Sequence, residues 1–90
     1  MNGQCFKDNE QRILDGGHYI EGSNMTIENC LQYCSDGGFI YAGVQNSIQC
    51  FCGNTTPVEV ASNCDHKCSG NKNQVCGGDW ALSVYSISRG

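Results

Sequence analysis

Ninety residues with eight cysteines and a net charge of −4 make one small domain, whose modest core calls for covalent support. Only five lysines and arginines are present, and they are scattered, which argues against nucleic acid, heparin-like polyanions or an acidic membrane surface as the main partner. There is no apolar run of about 18 residues, so direct membrane insertion is not expected.

No apolar segment follows Met1, so the chain reads as a module of a longer protein, with residues 1–4 as linker and 88–90 as a tail. Cys5-Phe6 reads as a short strand entering the turn Asp8-Asn9-Glu10. Arg12-Ile13-Leu14 is a brief apolar return, broken by Asp15-Gly16-Gly17, and residues 18–24 are expected as an irregular loop. Thr26 then stands where a helix N-cap belongs, with Glu28 in the first turn. Ile27, Cys30, Leu31 and Cys34 follow the i, i+3, i+4, i+7 pattern of one buried face, and Asp36-Gly37-Gly38 ends the helix. Residues 39–45 are rich in strand formers and Asn46-Ser47 reads as a turn. Ile48, Cys50 and Cys52 share one face of the next strand, with Gln49 and Phe51 on the other. Residues 53–64 are loop-like, with a second short helix conceivable near 58–64. Residues 68–76 enclose a polar loop, and Trp80 to Ile87 give a final strand.

The cysteine spacing carries the most information. Side chains four apart on a helix sit about 6 Å apart on one face, and side chains two apart on a strand are separated by nearly the same distance. Cys30 and Cys34 on a helix can therefore face Cys50 and Cys52 on a strand, giving two adjacent disulfides, although spacing equally allows the crossed pairing. So many cysteines in a short chain point to an oxidising, extracellular setting. Zinc is the competing reading, with His66 inside Cys64-Asp65-His66-Lys67-Cys68 as its one extra ligand. An exposed loop histidine explains the same residue without metal, and no metal or cofactor is expected. The sequons at Asn24 and Asn54 permit N-glycosylation.

The order of motifs resembles the WSC domain, a cysteine-rich extracellular module. The matching residues are Cys5-Phe6-Lys7-Asp8, Met25-Thr26-Ile27-Glu28-Asn29-Cys30, Cys34, Tyr41-Ala42-Gly43-Val44, Cys50-Phe51-Cys52-Gly53, Cys64, Cys68-Ser69-Gly70, Cys76-Gly77-Gly78 and Leu82-Ser83-Val84-Tyr85. They place the module at residues 5–87. Phe6 and Phe51 stand where the family often has Tyr, and Trp80 occupies a position that is usually polar. The resemblance implies an α+β, PAN/apple-like fold with one or two short helices packed on an antiparallel sheet. It also implies the disulfides Cys5–Cys64, Cys30–Cys50, Cys34–Cys52 and Cys68–Cys76.

No nucleophile–base constellation stands out, and the acids that can be paired on paper (Asp15 with Glu21, Asp65 with Glu59) read as solvated surface groups. An enzyme is not expected. WSC domains occur in fungal cell-wall sensors, in secreted fungal enzymes and in animal receptors, so the resemblance implies a secreted or cell-surface, carbohydrate-binding module acting as a monomer. A sugar site needs an exposed aromatic for the apolar ring face and amides or carboxylates for hydroxyls. Trp80 beside Asp79 is the first choice of platform, followed by Tyr19 and Tyr33, with Gln45, Asn46 and Gln49 as hydrogen-bonding groups. The bland alternative makes Trp80 a lid on the core and the amides ordinary turn residues, while Phe6, Phe39, Phe51 and Tyr85 are expected in the core. A protein–protein module of an extracellular receptor is the rival function, and a rigid glycosylated spacer is a third.

Overall fold

The computed structural model describes residues 2–87. Its helix, α1 (Ile27–Asp36), starts where the sequence offers a cap: the Thr26 hydroxyl accepts a hydrogen bond from the Asn29 backbone N–H at 3.0 Å. It stops where Gly38 takes the left-handed conformation, at φ 85°, that a side chain would oppose. Seven strands accompany it: β1 (Asn2–Lys7), β2 (Gly17–Ile20), β3 (Tyr41–Gln45), β4 (Gln49–Gly53), β5 (Lys67–Cys68), β6 (Asn71–Val75) and β7 (Ala81–Ser86). Five of them form an antiparallel sheet in the order β1-β7-β3-β4-β2, and β5 pairs with β6 in a separate ribbon. This is a small disulfide-rich α+β domain.

Four disulfides join Cys5 to Cys64, Cys30 to Cys50, Cys34 to Cys52 and Cys68 to Cys76. The middle two fasten one face of α1 to β4, uncrossed, so the helix is held on the face of the sheet that carries Cys50 and Cys52. Ala42, Val44 and Met25 pack beside these sulfurs, with Ile27 and Leu31 of α1 against the same cluster. The opposite face of the sheet buries Phe6, Phe51, Leu82 and Val84 under Leu14 of the 8–16 loop. Phe39 and Tyr85 are only half-buried, so of the four expected core aromatics only Phe6 and Phe51 are fully inside.

Several expectations are corrected by this architecture. Residues 17–20 are strand β2, because their backbone pairs with β4 from Gly17–Cys52 to Ile20–Gln49 and so acquires partners a loop would lack. The polar stretch after Cys68 is the hairpin β5–β6, closed by the Cys68–Cys76 disulfide. No helix forms at 58–64. That segment runs extended beside β1, with Lys7 N–H donating to Glu59 O at 2.8 Å and Ala61 N–H donating to Cys5 O at 3.0 Å, and it covers what would be a bare sheet edge. Asn2–Gln4, expected as linker, belong to β1. Ile48 falls in the turn at 46–48, so β4 begins one residue later. Trp80 precedes β7 instead of opening it. The expected tail at 88–90 lies outside the described residues.

Candidate functional site

Strand alternation decides which side chains meet. Gln45 pairs with Gln49 and Gly43 with Phe51, so Gln45, Gln49 and Phe51 share the face opposite α1. The turn that joins the two strands places Asn46 at their end, with Asn46 and Ser47 at φ 55° and 71°. Beside it comes a second tight turn. Gly78 and Ala81 exchange backbone hydrogen bonds across Asp79 and Trp80, which therefore occupy its tip. Gly77, at φ 69°, lets this turn lie against the β3–β4 hairpin, since a Cβ there would run into the carbonyl oxygens of Val44 and Ala81.

These elements enclose an open cleft of about 360 Å³ lined by Arg12, Gln45, Asn46, Gln49, Asp79 and Trp80. The structure thus brings together five of the seven residues nominated from sequence. Trp80 is 50% exposed, so about half of the indole surface is open to the cleft and to solvent. Gln45 is only 4% exposed, and its Oε1 is buried without a hydrogen-bond partner. Asp79 sits at the rim, its Oδ1 3.6 Å from the Nε2 of His66. A second hollow of about 280 Å³ shares Arg12 and Gln49 with the first and continues past His18, Ile20 and Phe51. Two adjoining hollows on one face suit an extended ligand.

Arg12 is the residue that sequence reasoning missed. Its guanidinium carbon lies 4.7 Å from the Trp80 ring centroid and 4.9 Å from that of Phe51, within cation–π range of both. Its Nη1 also donates to Asp8 Oδ2 at 2.9 Å, and the Asp8 side chain is 1% exposed. Asp8 Oδ1 accepts from the Ile13 N–H at 2.9 Å, and the Asp8 N–H donates to Trp80 O at 2.9 Å. Nothing in the sequence signals this, because Arg12 reaches the cleft from a loop.

Tyr19 and Tyr33 lie apart from the cleft. Tyr19 pairs with Cys50 and therefore points to the helix side of the sheet, although its residue borders the second hollow. Its ring stacks at a tilt on Tyr33, 4.4 Å between centroids, and its hydroxyl contacts Met25 Sδ at 3.9 Å. Burial, followed by the charges of Glu21 and Tyr33, raises the Tyr19 pKa above the usual phenol value. The Tyr33 hydroxyl donates to His18 O at 3.3 Å. The pair packs α1 against β2.

The closest approach to a metal-ligand cluster among the described residues is the sulfur trio of Cys30, Cys34 and Cys50, all within 4.8 Å of one another. Each of these sulfurs is bonded in a disulfide, whereas a metal would require thiolates. The His66 Nε2 lies 3.7 and 3.6 Å from the exposed carboxylates of Asp65 and Asp79. Among the described residues no helix is long and apolar enough to cross a membrane.

The fold and the cleft define a disulfide-stapled α+β module with a surface groove of amides and one aromatic. The WSC domain family model matches residues 2–78, and the chain belongs to that family. It is 42% identical over 86 residues to the xylosyltransferase oxt of Drosophila pseudoobscura pseudoobscura, covering 90% of this chain and 10% of that protein. A WSC domain-containing protein of Arthroderma benhamiae is 40% identical over 91 residues, covering 91% of this chain and 9% of its own length. Human Kremen protein 2 is 34% identical over 91 residues, covering 96% of this chain and 20% of its own length. The chain thus spans between about a tenth and a fifth of the length of these three relatives.

Proposed function

We propose that this domain is a non-catalytic, extracellular carbohydrate-binding module, and that the Trp80 cleft is its site. The observation that carries the reading is the convergence of a half-exposed indole with three side-chain amides and one carboxylate around one open groove. The indole offers an apolar face to the C–H surface of a sugar ring, and the amides of Asn46 and Gln49 donate to and accept from its hydroxyls, with the largely buried Gln45 in the wall behind them. Asp79 accepts a further hydroxyl. An open groove of this kind binds weakly through one domain and gains strength through neighbouring copies or domains. A cell-wall or cell-surface polysaccharide is the ligand class. Asn24 and Asn54 are exposed and available for N-glycosylation, with Asn54 beyond the end of β4 remote from the cleft.

The rival reading, a protein–protein module, is favoured by two exposed valines on the segment beside β1, Val58 at 86% and Val60 at 71%. Polysaccharide pull-down and glycan-array binding with wild type and Trp80→Ala separate the two. The glycan reading expects selective retention by wild type and a loss of about tenfold or more in the variant, as for a central aromatic anchor. Failure to bind any glycan, together with capture of a protein ligand that Val58→Ser abolishes, would establish the rival instead.

A further inference from the structure

We propose that Arg12 is a positioning residue of the Trp80 cleft, orienting the indole that receives the sugar; this rests on the glycan reading above. Trp80 is the second residue of a two-residue tip, and its backbone sits at φ 51°, so the turn alone leaves the side chain reaching outward with half of its surface in water. A bare indole on such a tip samples several rotamers, and a sugar would have to select one of them. Arg12 limits that freedom. Its planar guanidinium lies over the Trp80 ring at 4.7 Å and over Phe51 at 4.9 Å, and Phe51 is anchored in the sheet. The guanidinium is fixed from behind by the buried Asp8 carboxylate at 2.9 Å. Arg12 is itself at φ 63°, in a loop whose closing bonds run from Ile13 N–H to Asp8 and from Arg12 N–H to Asn9 O. Asp8 therefore governs both ends of the arrangement. Its N–H fixes the Trp80 backbone, and its carboxylate fixes the cation that fixes the ring. Because the guanidinium is committed to Asp8 and to two aromatic faces, its function in binding is to hold the platform still.

The single tryptophan makes this measurable. Arg12→Lys keeps a cation for Asp8 but loses the planar stacking surface. Arg12→Met combined with Asp8→Asn removes both charges, so that no buried carboxylate is left unpaired. For each folded variant, acrylamide quenching of Trp80 emission is compared with retention on the polysaccharide that holds wild type. Both variants should show a more quenchable indole and a three- to fivefold loss of retention, roughly the equilibrium factor of one exposed cation–π contact. Wild-type quenching and wild-type retention in both would overturn the proposal. So would a more quenchable indole with unchanged retention, which would confine Arg12 to structure. So would reduced retention with unchanged quenching, which would mean that Arg12 touches the ligand itself. If wild type is retained on no polysaccharide, the glycan reading fails, and the quenching comparison alone decides whether Arg12 orients Trp80.

Discussion

At the scale of single residues, Trp80 combines exposure with an unfavourable backbone conformation. A non-glycine residue at φ 51° costs about 1–3 kcal/mol, which the contacts around it must offset. Two substitutions separate backbone from side chain. Trp80→Ala loses the indole and keeps the penalty, whereas Trp80→Gly loses the indole and relieves it. Thermal melts should therefore rank Trp80→Gly above Trp80→Ala, by about 1 kcal/mol, while both lose glycan retention equally. A glycine variant melting below the alanine variant would show that the turn is not strained as described. Trp80, Asp79, Gln45, Asn46 and Gln49 line one cleft, and their grouping could be anticipated because all of them fall in or beside two neighbouring turns; their part in sugar binding is the proposal made above. Arg12 could not be anticipated, since a loop residue's reach across space leaves no periodic trace. Tyr19 and Tyr33 have the right chemistry, but a strand's alternation and a helix face turn them to the other side of the sheet.

Among the elements, α1 was the most readable, because its cap, its buried spacing and its terminating glycines all agree. β2 and β6 were not. Gly17–Ile20 is too short to show a pattern, and the polar Asn71–Val75 hides a strand held by its disulfide and by partners elsewhere. Beyond its pairing with β5, this strand reaches α1 through one side chain. Gln74 Oε1 accepts the Ile27 N–H at 3.0 Å, and Gln74 Nε2 donates to both oxygens of Glu28, at 2.9 and 2.8 Å. One side chain thus caps the helix from outside it. Gln74→Ala should cost about 1 kcal/mol by denaturant or thermal unfolding, the usual value of a lost cap. The hydrogen bond from Gln74 is the leading cause that lowers the Glu28 pKa in the fold. A lowered folded-state pKa means the unfolded chain takes up the proton more readily. The stability Glu28 contributes is therefore complete at neutral pH and is lost as the pH falls through the carboxylate range. The stability difference between wild type and Gln74→Ala should accordingly shrink on going from pH 7 to about pH 3. A difference that grows with acidification would contradict the assignment.

For the whole molecule, the disulfides do what a larger core would otherwise do. Cys30–Cys50 and Cys34–Cys52 close loops with sequence separations of 20 and 18 and bind the only helix among the described residues to the sheet. Replacing Cys34 and Cys52 together by alanine should cost roughly 2–5 kcal/mol, which at this size lowers the melting temperature by about ten degrees or more. An unchanged melting temperature would show that the helix is held by packing alone. The face opposite the helix is left to the 8–16 loop, the β3–β4 hairpin and the Asp79-Trp80 turn, and their meeting forms the cleft. Leu14 packing on Phe51 and Leu82, together with the hydrogen bonds of Asp8 to Ile13 and Trp80, holds the loop and the turn beside the hairpin.

The most direct measurement is an NMR titration of the uniformly labelled domain with an oligosaccharide from the polysaccharide that retains it. The account predicts that the largest perturbations fall on the Trp80 indole N–H and on the side-chain amides of Gln45, Asn46 and Gln49, with the Tyr19 and Tyr33 signals nearly still. Perturbations centred on Tyr19 and Tyr33, or along the Val58–Val60 segment with Trp80 unmoved, would contradict it.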